Sequence, residues 1–138
     1  MAEAYGFLTG RPGVCMSTLG PGSSNLVNAV ANAWLDRVPM IAISGQIERK
    51  REQTFTHQVL DHNRMFSPVS KWVTHVEADT VGAVMRKALR TAMAERPGPV
   101  HVTTHSDVVG AVATDDAIAL PPLRPSAGSV QVFAADAA

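Results

Sequence analysis

The feature that most constrains the fold is an alternation of short apolar runs with segments of helical period. Residues 14–18 (VCMST), 40–44 (MIAIS), 71–76 (KWVTHV) and 100–104 (VHVTT) are brief, largely apolar and bounded by turn residues, as buried strands are. Between them lie helical patterns. In 23–36, Leu26, Val30, Ala33 and Trp34 recur at the helical spacing, with Ser23 or Ser24 placed to cap the start. In 80–95, Val81, Val84, Met85, Ala88, Leu89 and Ala92 share one face behind Asp79 or Thr80. Residues 1–9 read as a helix with Ala2, Tyr5, Phe7 and Leu8 turned inward, stopped by Gly10-Arg11-Pro12-Gly13. Residues 46–56 read as an exposed polar loop, and 57–66 as a short helix packing through Val59, Leu60 and Phe66. Strands alternating with helices imply an α/β fold: a parallel sheet of about four strands, flanked by helices and joined by right-handed crossovers. Ligands of such sheets lie at the carboxyl ends of strands. The turns 19–22, 45–58 and 105–108 are therefore where chemistry is expected.

Composition excludes several classes of function. Of 138 residues, 46% are apolar and 17% charged, enough for a packed core and too few charges for a disordered tail. With 12 basic and 12 acidic side chains there is no basic stripe, and two Trp, one Tyr and four Phe make a poor base-stacking surface, so no nucleic-acid partner is expected. No run is long enough to span a bilayer, so no membrane partner is expected. A single cysteine, Cys15, precludes an internal disulfide and suits a reducing compartment. With no signal-peptide pattern at the N-terminus, the expected location is cytoplasmic. The segment beyond residue 116, with its LPPLRPSAGS stretch, reads as a linker over 117–138, leaving 1–116 as the folded unit.

Gly20-Pro21-Gly22 stands between a strand and a helix. Two glycines allow a backbone to pass close to a flat ligand, Pro stiffens the turn, and the helix start offers N–H groups to an anion. The same residues also make an ordinary strand-to-helix turn. A P-loop and a G-x-G-x-x-G fingerprint are both absent. His57-Gln58 could orient a carbonyl substrate and relay protons, or could simply be a solvated helix start. His62, His75 and His101 read as structural or surface histidines, and the five His and one Cys show no metal-ligand spacing. Cys15, inside an apolar strand, reads as inert packing.

Taken in order, MAEAYGFLTGRPGVCMSTLGPGSSNLVNAVANAWLDRVPMIAISGQ, then THQVLD, MFSPVSKW, RPGPVHV and SDV resemble the N-terminal, pyrimidine-binding domain of the acetolactate synthase-like thiamine-diphosphate enzymes. THQVLD looks more like the catabolic branch, or sulfoacetaldehyde acetyltransferase-like relatives, than the anabolic one. The resemblance implies thiamine diphosphate as cofactor, with only its pyrimidine half at this domain and Mg²⁺ held through a different domain. It implies Gly20, Pro21, Gly22 and Asn25 as the turn beside the pyrimidine, with Gln46 nearby, and His57 and Gln58 facing the reacting substrate. The implied activity is decarboxylation of a 2-keto acid and transfer of the two-carbon unit, a transferase or lyase chemistry. The implied partners are the remaining domains of the enzyme, or a homologous chain in a dimer or tetramer.

The family's activating glutamate precedes the segment matching MAEAYG, and Glu3, Glu48, Glu52, Glu77 and Glu95 do not fit its position. The expectation is thus a domain truncated at its N-terminus, without the middle and metal-binding domains, and inactive alone. A smaller departure is His105, where relatives often have Pro. The competing readings are a non-catalytic α/β domain that binds a partner or small ligand, and an unrelated α/β binding module. An in-frame strand ending in His-Glu-Gln upstream of Met1 would favour the enzyme fragment.

Overall fold

The computed structural model describes residues 1–114, so the expected linker over 117–138 lies outside the described residues. Four strands, β1 (Gly13–Ser17), β2 (Met40–Gln46), β3 (Trp72–His75) and β4 (Pro99–His105), form one sheet in the order β1-β2-β4-β3. Every neighbouring pair is parallel. The helices are α1 (Ala2–Thr9), α2 (Pro21–Leu35), α3 (Arg49–Glu52), α4 (His62–Phe66), α5 (Val81–Met93) and α6 (Ser106–Val109), with a 3-10 turn over Ser67–Val69. The α/β reading therefore holds, with each strand within about two residues of its expected bounds.

Alternation along the central strands sorts the core into two layers. Met40 and Ala42 pack with Val30, Ala33, Val38 and Phe66, beneath α2 and α4. Ile41, Val100 and Val102 pack with Val76, Ala88 and Ala92, beneath α5. This is the two-sided cover that a parallel sheet needs. The expected inner face of α5 is borne out in full, because Val81, Val84, Met85 and Leu89 also pack against that second layer. Lys71 fastens the far end of α5: its Nζ donates to the carbonyl oxygens of Thr91, at 2.5 Å, and Ala94, at 2.9 Å, using carbonyls that a helix end leaves unpaired.

Several local expectations are corrected. Tyr5, Phe7 and Leu8 are exposed, and the buried residue of α1 is Gly6. A Cβ there would stand 2.5 Å from the Pro39 carbonyl oxygen, so α1 approaches the 38–39 segment through its one residue without a side chain. Trp34 and Leu60 are exposed rather than packed. The 46–56 stretch contains the turn of helix α3. No side chain caps α2 or α5; Gly20 and Thr80 occupy their cap positions through backbone alone. The edge strand β1 leaves Val14 and Met16 largely exposed, the apolar edge expected of a sheet open on that side.

Candidate functional site

Because all four strands are parallel, their carboxyl ends share one edge of the sheet, and two structures occupy it. The first is the Gly20-Pro21-Gly22 turn after β1. Gly20 has φ 57°, ψ −119°, a conformation open to glycine, and Pro21 begins α2, where its fixed φ and missing N–H cost nothing. Ser23, expected as a cap, instead donates from Oγ to the Thr18 carbonyl at 2.8 Å, and the Gly22 N–H bonds back to Leu19 at 3.2 Å. The turn is thus tied down onto the end of β1.

The expected residues converge on this turn to different degrees. Gly20 and Gln58 meet: a Cβ on Gly20 would stand 2.6 Å from the Gln58 carbonyl oxygen and 2.7 Å from its Cβ. Gln58 itself holds a positive φ of 60°, an uncommon state for a residue with a side chain. His57 is exposed beside Phe55, ring to ring at 6.3 Å in an edge-on arrangement. Pro21 and Asn25 are exposed, and neither the Asn25 nor the Gln58 side chain has a hydrogen-bond partner among the described residues. Gln46 is buried as a brace. Its Nε2 donates to the Leu60 carbonyl at 3.0 Å, and its Oε1 accepts from the Ile47 N–H at 3.0 Å. That bond anchors the segment carrying His57 and Gln58 to the end of β2.

The second structure is a cavity of about 580 Å³ at the ends of β2, β3 and β4, lined in part by Gln46, Glu52, His62, His75, Thr103 and His105. Pairing places Gln46 beside His105 and Ser44 beside Thr103. His101, Thr103 and His105 alternate on one face of β4, the face that α4 covers. His101 is fully buried, shares a 2.5 Å hydrogen bond between Nε2 and Ser44 Oγ, and stacks on Phe66 with centroids 3.9 Å apart. Burial, with His62 close by, lowers its pKa to about 3, so it is neutral. His62 lies edge-on to it at 6.3 Å, and burial also lowers the His62 pKa. His105 Nε2 is 3.2 Å from Glu52 Oε1. Arg49 pairs with Glu77 at the mouth.

His62, His75 and His101, expected as structural or surface side chains, and His105, expected only as a departure from Pro, gather at this edge of the sheet. The signal that would have grouped them is the period-2 placement of His101, Thr103 and His105, which puts three polar groups on one face of an otherwise apolar strand. Among the described residues, no group of three His, Cys, Asp or Glu side chains is arranged to hold a metal ion, and no helix is long and apolar enough to cross a membrane.

Comparison with known proteins gives this geometry a family. Residues 1–65 match the model of the thiamine pyrophosphate enzyme N-terminal TPP-binding domain. The chain is 38% identical over 115 residues to the catabolic acetolactate synthase of Raoultella terrigena, covering 83% of this chain and 21% of that protein. It is 40% identical over 109 residues to the acetolactate synthase large subunit of Parasynechococcus marenigrum, covering 78% of this chain and 18% of that one. It is 36% identical over 131 residues to the acetolactate synthase of Bacillus subtilis, covering 92% of this chain and 23% of that protein. The chain thus spans about a fifth of the length of these relatives. The turn at the end of β1, the parallel sheet behind it and these matches agree: the chain belongs to the thiamine pyrophosphate enzymes, as an acetolactate synthase-like N-terminal domain.

Proposed function

We propose that this domain binds the aminopyrimidine half of thiamine diphosphate on the wall made by Gly20, Pro21, Gly22 and Asn25, with His57 and Gln58 facing the reacting substrate. It would serve an acetolactate synthase-like enzyme that decarboxylates a 2-keto acid and transfers the two-carbon unit. The observation that carries this reading is the seating of Gln58 directly on Gly20, where both residues hold positive φ. It draws two segments 38 positions apart in sequence into one surface at a strand end.

The wall suits a flat, nitrogen-bearing ring. The exposed Pro21 ring offers an apolar face, and the free amides of Asn25 and Gln58 each offer both a donor and an acceptor. When bound, the cofactor supplies the electron sink for decarboxylation. This chain's residues bind and orient. Gln58 stands against the turn through its backbone and Cβ, in a segment held by the Gln46-to-Leu60 bond, and His57 offers an imidazole for proton transfer near neutral pH. The diphosphate and Mg²⁺ would be held by another domain, in a dimer or tetramer.

The test is titration of the full chain with thiamine diphosphate and with thiamine, followed by amide resonances. The reading expects both to perturb residues 20–25 and 57–58 in the same way, because only the pyrimidine touches this domain. Perturbation by the diphosphate form alone, or none at the turn, would overturn it.

A further inference from the structure

The resemblance places Gln46 near the cofactor, but its geometry gives it a different task. Gln46 ends β2 and is only 5% exposed. Both polar atoms of its amide are engaged: Nε2 donates to the Leu60 carbonyl and Oε1 accepts from the Ile47 N–H, each at 3.0 Å. An amide so buried and so engaged has little to offer a ligand. What it holds is a segment with few other ties. Among the described residues, no other hydrogen bond joins residues 56–60 to a strand. Beyond Leu60 the chain is fixed by Asp61, whose side chain caps α4 by accepting from the Arg64 N–H at 2.9 Å.

That segment carries His57 and Gln58. Gln58 sits against Gly20 so closely that a Cβ on Gly20 would meet its backbone, and it does so with a φ of 60°. Such a state is uncommon for a residue with a side chain and persists only where its surroundings enforce it. On one side the surroundings are Gly20. On the other they are the bond at Leu60, two residues on, which sets the direction in which the chain leaves Gln58. Glutamine suits this place because one planar group supplies both a donor and an acceptor; glutamate lacks the donor, and asparagine is one methylene shorter. We propose that Gln46 is a positioning residue for the thiamine wall. It does not touch the cofactor, and acts by holding Leu60 so that His57 and Gln58 stay folded back on Gly20. This inference rests on the reading of that wall as the aminopyrimidine site.

The test compares three forms of the full chain, each under conditions where urea titration shows it folded. They are the native chain, Gln46→Met, which fills a similar volume with neither donor nor amide acceptor, and Val100→Ala, which truncates a fully buried side chain near the start of β4. Without ligand, Gln46→Met should displace the amide resonances of residues 57–60 and speed their hydrogen exchange. It should weaken thiamine binding about two- to tenfold, the worth of one net hydrogen bond. Val100→Ala should lower the urea midpoint while the 57–60 resonances and the thiamine affinity stay as in the native chain. If Gln46→Met does not fold, Gln46→Asn is read in the same way. Resonances at 57–60 that stay in place, thiamine bound as tightly as by the native chain, or an equal loss of affinity in Val100→Ala would overturn the proposal. A native chain that shows no thiamine response at residues 20–25 and 57–58 overturns the reading of the wall instead, and the unliganded resonances at 57–60 then decide whether Gln46 holds the segment.

Discussion

The Gly20 turn and the histidine cavity occupy the same edge of the same sheet, yet they are built from opposite materials. The turn is made of backbone. Its conformation is set by glycine, proline and local hydrogen bonds, and Pro21 and Asn25 face outward, the Asn25 side-chain amide free. The cavity is made of side chains. His62 and His105 line it, with His101 packed behind His62, and all three are buried with a ring nitrogen without a partner. The turn should therefore tolerate changes in pH and surface chemistry while yielding to any added Cβ. The cavity should behave in the reverse way, indifferent to backbone torsion but sensitive to volume and protonation.

Phe66→Ala is the largest test of that contrast. Phe66 is fully buried, stacks on His101 and belongs to the core layer beneath α4. Truncating a buried Phe costs about 3–5 kcal/mol. Urea denaturation should show that loss, with hydrogen exchange accelerated first over 62–66 while residues 20–25 keep their native-state protection. A loss below about 1 kcal/mol would mean that the histidine layer is not part of the core.

Gly20→Ala strikes the other region. A methyl group there meets the Gln58 backbone at 2.6 Å, and the φ of 57° disfavours an L side chain. Positive-φ strain of about 1–3 kcal/mol adds to an overpacking cost of similar size. The expected outcome is a destabilisation of roughly 2–5 kcal/mol together with displaced amide resonances at Gln58. Resonances of the His62 and His101 rings should stay in place. If they move with Gln58, the two regions are one mechanical unit and the contrast fails.

Protonation separates the regions next. The folded pKa of His101 is lowered to about 3, against an unfolded value near 6.5. Above pH 6.5 neither state takes the proton, so the group contributes nothing to the pH dependence. As pH falls below that value the unfolded chain binds the proton and the folded chain does not, so stability drops throughout the interval down to about pH 3. From pH 7 to pH 5 this amounts to about 2 kcal/mol for His101, and His62, shifted in the same direction, adds to it. Urea midpoints at the two pH values should show the drop in the native chain and a clearly smaller drop in His101→Gln. Parallel slopes in both would assign the acid sensitivity to other groups.

The unequal legibility of the two regions has the same origin. A backbone device demands particular residue types in consecutive order, so Gly20-Pro21-Gly22 declares a tight strand-to-helix turn from spacing alone, and the α/β alternation around it declares the parallel sheet. Its contact with Gln58 could not be read, because that depends on how the 57–60 segment folds back and on the bond from Gln46 to Leu60. The cavity draws on Gln46, Glu52, His62 and His105, from four separate elements. None of these residues forms a motif with its neighbours in its own segment, and only strand register puts Gln46 beside His105. The inner face of α1 holds only at Ala2, for a related cause: apolar periodicity points to Tyr5, Phe7 and Leu8, whereas close approach to Pro39 selects Gly6. Hydrophobic pattern reports what can be buried, and contact distance decides what is.

Asn25→Ala should have the smallest effect on stability and the most selective effect on function. Asn25 is exposed on α2, with its amide free of partners. Removing it takes away no internal hydrogen bond, and alanine is the better helix former, so stability should stay within about 0.5 kcal/mol of the native chain. If the amide meets the aminopyrimidine, its loss removes a hydrogen bond worth about 0.5–1.5 kcal/mol, a two- to roughly tenfold weakening of thiamine binding. A variant that binds thiamine as tightly as the native chain would remove Asn25 from the wall and leave recognition to Pro21 and Gln58. A variant that unfolded would show that the turn depends on side chains after all, which is the property that distinguishes it from the cavity.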